Sequence, residues 1–208
     1  MTYALNISPN AFSPASVLGW QVVETGPAIR VLDEAAVDVG AREALLDAAF
    51  GPARAEKTCE RLREGRRPAH GLSIVAKDGV DVVGTLRLWH IAAGPGRPAL
   101  LLGPLAVARS HRARGLGTRL ISEALFRAVV RGHGAVLLVG DAPYYERFGF
   151  DRRFTTRLVM PGFVEKERFL GLELAPDALA AAAGPVTATG PLDVPALAPQ
   201  AAELLRAA

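Results

Sequence analysis

Ala99-Leu-Leu-Leu-Gly-Pro-Leu-Ala-Val107, then Arg112-Ala-Arg-Gly-Leu-Gly-Thr118, then an amphipathic run to Val129, then Ala135-Val-Leu-Leu-Val139: this succession decides the fold. The first segment is an apolar strand interrupted by Gly103-Pro104. Proline donates no ladder hydrogen bond and belongs at a bulge or an edge. From Leu116 the apolar residues Leu120, Ile121, Ala124, Leu125, Ala128 and Val129 recur on one helix face, and Gly132 and Gly134 close the helix. Ala135–Val139 is apolar at every position, as expected of a strand inside a sheet. Strand, helix and strand in this order form a crossover between parallel neighbours.

Upstream, the pattern changes to hairpins. Leu72–Ala76 and Val80–Ile91 flank Lys77-Asp78-Gly79, a tight-turn signal, and Gly94–Pro98 leads into the Ala99–Val107 strand. Before them come a strand over 28–32 and a helix with Asp33 as its N-cap, stopped by Gly51-Pro52. A charged helix over Arg54–Glu64 follows. Downstream come a short helix, Tyr144–Phe148, and two weaker strands, Arg157–Met160 and Phe169–Leu174. The expectation is an α/β domain of the mixed, α+β kind, its sheet mostly antiparallel and flanked by helices. It covers 28–174, between an extension (1–27) and an Ala/Pro-rich tail (175–208) with a helix near 200–206.

Composition narrows the chemistry. The chain has 208 residues, half of them apolar, which suits one domain with a real core. A single cysteine, Cys59, excludes an internal disulfide and a thiolate-rich metal site. His70, His90, His111 and His133 show no ligand spacing, so no metal is expected. No apolar run reaches the roughly 20 residues of a membrane span, and the first residues lack the pattern of a secretory signal. A cytoplasmic location, no membrane contact, and a monomer or homodimer are expected. The net charge is +3. Arg109, Arg112, Arg114 and Arg119 cluster without an intervening acid or aromatic residue. That pattern fits a small anionic ligand better than nucleic acid.

Arg112–Thr118 carries the sharpest chemical signal. A helix start leaves N–H groups unpaired at the positive end of the dipole, which is an anion site. Gly115 and Gly117 let the backbone approach a phosphate closely. The P-loop pattern is absent, and the dinucleotide pattern is incomplete because Leu120 stands at its third glycine.

One strand later the chain reads Tyr144-Tyr-Glu-Arg-Phe-Gly-Phe150. Arg112-x-x-Gly115-x-Gly117 together with Tyr145-Glu-Arg-Phe-Gly149-Phe150 resembles the GNAT superfamily of acyl-CoA-dependent N-acetyltransferases, in its bacterial branch of poorly defined substrates. The resemblance covers about 28–174. It implies a sheet whose central strands splay apart. It implies that Leu105, Ala106 and Val107 offer backbone groups to the pantetheine arm of acetyl-CoA. The amides of Arg112, Ala113, Arg114, Gly115, Leu116, Gly117 and Thr118 would hold the pyrophosphate. Tyr145 would be the general acid toward the leaving thiolate, and the acceptor a small-molecule or peptide amine. Two features depart from the family pattern. Ala99–Val107 holds no acid to act as a base, and Asp141 stands near the usual asparagine. Deprotonation is therefore expected through water, with His90 a candidate helper. Asp141 reads as a helix N-cap, and Glu146-Arg147 as a solvated face. Two other functions compete: a non-catalytic acyl-CoA-binding module, and an NAD(P)-dependent oxidoreductase using Gly115-x-Gly117 as its dinucleotide loop.

Overall fold

A computed structural model describes residues 29–193. Eight strands are present in this span: β1 (Arg30–Asp33), β2 (Ser73–Asp78), β3 (Asp81–Ala93), β4 (Pro98–Val107), β5 (Ala135–Val139), β6 (Leu158–Val159), β7 (Phe169–Glu173) and β8 (Gly184–Ala188). Three α-helices accompany them: α1 (Val39–Phe50), α2 (Leu116–Val130) and α3 (Ala142–Glu146). The sheet order is β1-β2-β3-β4-β5-β7, with β8 against the end of β3 and β6 beside β8. β4 and β5 run parallel, joined by α2, and so do β6 and β8; the other pairs are antiparallel. This is the mixed α/β sheet expected. It is not the doubly wound parallel sheet that a dinucleotide-dependent oxidoreductase of that type requires.

Both faces of the central strands are covered, which explains their unbroken apolar runs. Leu100 and Leu102 join Leu120, Ile121 and Ala124 of α2 on one face. Leu101 and Leu137 join Trp89, Phe169 and Val186 on the other. Leu120 and Ile121 are fully buried, each contributing about 1.5–3 kcal/mol of transfer free energy. α1 lies against β3 and β4. There Glu34, nearly fully buried, pairs with both Arg42 and Arg87.

Several local expectations change. Asp33 ends β1 and pairs with Arg127; it does not cap α1. Asp38 stands at the N-cap position of α1 without a side-chain cap bond; its carboxylate instead accepts from the Ala35 amide at 3.0 Å, closing the preceding 3₁₀ turn Ala36–Asp38. Arg54–Glu64 is not one helix but two 3₁₀ turns, Pro52–Glu56 and Thr58–Leu62. This run has no continuous apolar stripe, so tertiary bonds shape it instead. Thr58 donates to the Phe163 carbonyl at 2.7 Å and Arg61 to the Pro161 carbonyl at 2.8 Å. The short helix is Ala142–Glu146, two residues earlier than read. The stretch read as a tail supplies β8, whose Val186 and Ala188 pair with Ala93 and Ile91. The expected helix near 200–206 lies outside the described residues, as do 1–27.

Candidate active site

β4 keeps β5 as its neighbour only at Leu100↔Val136 and Leu101↔Leu137. Beyond Leu101 the two strands part. On its other side β4 bulges: Leu86 faces Leu105 and Leu88 faces Leu102, so one extra residue sits in β4 around Gly103-Pro104. Trp89 pins this bulge by donating its indole N–H to the Gly103 carbonyl at 2.7 Å, in the buried interior. The bulge bends β4 away and opens a gap where parallel pairing would otherwise continue.

Two hollows fill that gap. The smaller, of about 510 Å³, lies between the end of β4 and the start of α2. Of the ten positions read as cofactor contacts, nine line it, from Leu105–Val107 to Gly115–Thr118; Arg114 does not. Gly115 takes the N-cap position of α2 with φ 76°, a left-handed conformation natural to glycine. At Gly117 a Cβ would sit 2.7 Å from the Tyr144 hydroxyl, so the approach of Tyr144 requires glycine there. The amides of the first α2 turn have no intrahelical partners, which is the electrostatic basis of an anion cradle.

The arginines do not act as one cluster. Arg112 donates from Nε to the Val107 carbonyl at 3.0 Å, tying the loop to the strand end. Arg119 donates to the Ile29 carbonyl at 2.7 Å. Arg147, read as solvated, lines the smaller hollow. Its guanidinium bonds the Thr118 hydroxyl at 3.0 Å and lies 4.1 Å above the Tyr144 ring. Sequence spacing gave no sign of this role, because the contact spans 29 residues.

The larger cavity, about 780 Å³, continues from the smaller one; Phe50, Leu105 and Tyr144 line both. Its walls are the bulge in β4, Val139–Asp141 after β5, Tyr145 on α3, the 3₁₀ turn Thr58–Leu62, and Phe163–Glu165. Tyr145 packs its ring on Gly140, where a Cβ would meet it at 2.2 Å. The ring stands edge-on to Tyr144 and Phe150. Burial first, then the neighbouring Tyr144 and Asp141, push its hydroxyl up to about 12. Asp141 takes the N-cap position of α3 through its backbone carbonyl, and its side chain makes no cap bond.

His90 does not line this cavity. It pairs with Leu100, where the strands are still joined, and its ring lies 5.4 Å from that of His133. The carboxylates lining the cavity are Glu56, Glu60, Asp141 and Glu165, none of them on β4.

Residues 69–152 match the family model described as an acetyltransferase (GNAT) domain. The uncharacterized N-acetyltransferase YhbS of Escherichia coli K12 is 30% identical over 119 residues, which are 57% of this chain and 71% of YhbS. This chain belongs to the GNAT acetyltransferase family. Solved structures of GNAT proteins agree with it in fold. The crystal structure of Escherichia coli YhbS in complex with CoA superposes with a TM-score of 0.65 at 29% identity, covering 77% of this chain and 89% of that one. A GNAT family acetyltransferase from Brucella melitensis, in complex with acetyl-CoA, gives a TM-score of 0.59 at 26% identity, covering 78% and 97%. In this family member the parted β4–β5 pair, the α2 start and the α3 tyrosines form one continuous trough.

Proposed function

We propose that this GNAT chain is an N-acetyltransferase that moves the acetyl group of acetyl-CoA onto an amine by direct attack. The observation that carries this reading is the trough itself. An anion cradle closes one end, unpaired strand edge runs along it, and a half-buried phenol stands at the other. The solved relatives with CoA and acetyl-CoA bound support it. The cradle suits a pyrophosphate: the first α2 turn presents unpaired amides, and Arg147 adds a cation at the rim. Leu105 and Ala106 offer backbone groups to a pantetheine amide. The Val107 carbonyl is already engaged by Arg112.

When bound, acetyl-CoA supplies an activated acetyl group whose C–S bond breaks as the C–N bond forms. The protein holds and orients the reactants and handles protons. The acceptor nitrogen must arrive unprotonated; β4 offers no carboxylate to strip it, and the proton leaves through water toward the cavity's carboxylates on other segments. Tyr145 faces the cavity as a neutral phenol throughout the working pH range. A hydroxyl held at about 12 is a weaker acid than a thiol at about 8.5. Tyr145 therefore stabilises the departing sulfur as a hydrogen-bond donor and does not ionise ahead of it.

Thermal shift tests the first half of the reading, because a ligand that binds only the folded state raises apparent stability. Acetyl-CoA and CoA should raise the melting temperature and NADP should not. Thiol release with an amine panel tests the second half. No stabilisation by acetyl-CoA would overturn the reading, and binding without turnover would favour a non-catalytic acyl-CoA module.

A further inference from the structure

Among the basic side chains lining the larger cavity, Arg63 is the buried one with donors left unfilled. Arg63 follows the 3₁₀ turn Thr58–Leu62, and its side chain is only 10% exposed. Its Nε is fully buried with no hydrogen-bond partner. Among the described residues its one ion pair is long, 3.5 Å from Nη1 to Glu60. A guanidinium has five N–H donors and stays protonated in proteins. Burying it with so few partners is costly unless something else completes its bonding.

The other basic side chains lining the cavity are engaged or open to solvent: Arg168 is exposed and donates from Nε to the Gly140 carbonyl at 3.4 Å. Arg54 pairs with Asp47 and Glu43. Arg61 bonds the Pro161 carbonyl. Lys57 sits 4.5 Å above the Phe50 ring. Arg63 also lies against the parting strands. A Cβ on Gly103 would lie 3.2 Å from its Nη2, so the guanidinium abuts the bulge that opens the gap. Tyr145 lines the same cavity. A planar fork of N–H donors matches a carboxylate bidentately.

We propose that Arg63 anchors the acceptor, and that the acceptor is a small molecule carrying a carboxylate besides its amine. The inference rests on the acetyl-transfer reading above and names the acceptor class within it. With the carboxylate on Arg63 and the amine toward the bulge and Tyr145, one cavity holds both ends. A polyamine has no carboxylate to fill the open Arg63 donors and would bring a second cation beside them.

The test has two independent readouts. Binding is measured by calorimetry with N-acetylated glycine, leucine, phenylalanine and lysine, each as free acid and as amide, and with N-acetylphosphoethanolamine. Turnover is measured as thiol release from acetyl-CoA with the matching free amines and with spermidine. The acids should bind and react about 10–100-fold better than their amides, the range of a charge-assisted bond. Arg63→Gln should bring that ratio close to one. Arg63→Lys, which keeps the charge and loses the fork, should leave a reduced preference and serves where Arg63→Gln does not fold. Acids that bind through Arg63 without any binding of acetyl-CoA would keep the carboxylate site and defeat the acetyl-transfer reading. Acetyl-CoA binding with no preference for acids would do the reverse. Better use of amides, spermidine or the phosphorylated amine, or a preference that survives Arg63→Gln in folded protein, overturns the inference.

Discussion

The two ends of the trough are built on different principles. The cradle is made from consecutive residues: a loop and the first helical turn, Arg112 to Thr118, with a glycine where the backbone must turn left-handed and another where a tyrosine hydroxyl comes close. Its donors are main-chain amides, which any sequence with those glycines presents. The larger cavity is made from separate segments, Arg63, Gly103-Pro104, Tyr145 and Phe163–Glu165 among them. A backbone site is conferred by local geometry and tolerates changes in its side chains. A side-chain site depends on each residue and on the packing that brings them together.

That contrast can be broken or sharpened by substitution. Removing only a hydroxyl from the side-chain end should have the largest effect. Tyr145→Phe should lower kcat by about 10–1000-fold while acetyl-CoA affinity stays near its starting value. A loss in affinity of the same size would mean that the two ends are not separable. Because the Tyr145 hydroxyl is held near 12, kcat should rise with pH through neutrality as the amine loses its proton. No falling limb from this residue should appear below about pH 11.

The next effect belongs to the cradle. Gly117→Val puts a branched side chain where Tyr144 and the ligand must approach. It should weaken acetyl-CoA binding by about 30-fold, some 2 kcal/mol, in a chain that still melts cooperatively. Unchanged affinity would remove the pyrophosphate from the α2 start. Arg147→Ala then asks how far a side chain matters at the backbone end. Losing its bond to Thr118 should cost about 3–10-fold in acetyl-CoA affinity, the range of a single hydrogen bond. The smallest effect should come from His90→Ala, below about threefold in kcat. That is far less than the 10²–10⁴-fold typical of direct base catalysis, because this ring lies on the joined part of the strands, beside His133.

Particular elements show what could be read in advance. β4, α2 and β5 were legible because each is long, apolar in a regular pattern, and bounded by glycine or proline. The glycine-bearing start of α2 was legible for the same reason: it lies within a few consecutive residues. Arg54–Glu64 misled because charge and helix propensity are weak guides without an apolar face, and contacts with Pro161 and Phe163 shape the segment instead. β8 was missed because Gly184–Ala188 is short and carries a proline; pairing with β3 makes it a strand.

The sequence by itself determined the order of elements, the crossover, the glycine-bearing helix start and the family motif around Tyr145, because each depends on residues close together in the chain. Only the tertiary structure decided where the strands part and which arginines line the two hollows between them. Arg147 reaches Thr118 across 29 positions, and Arg63 meets Gly103 across a comparable span. Such contacts follow from how the sheet twists and packs, a collective outcome of the whole core that no local pattern encodes.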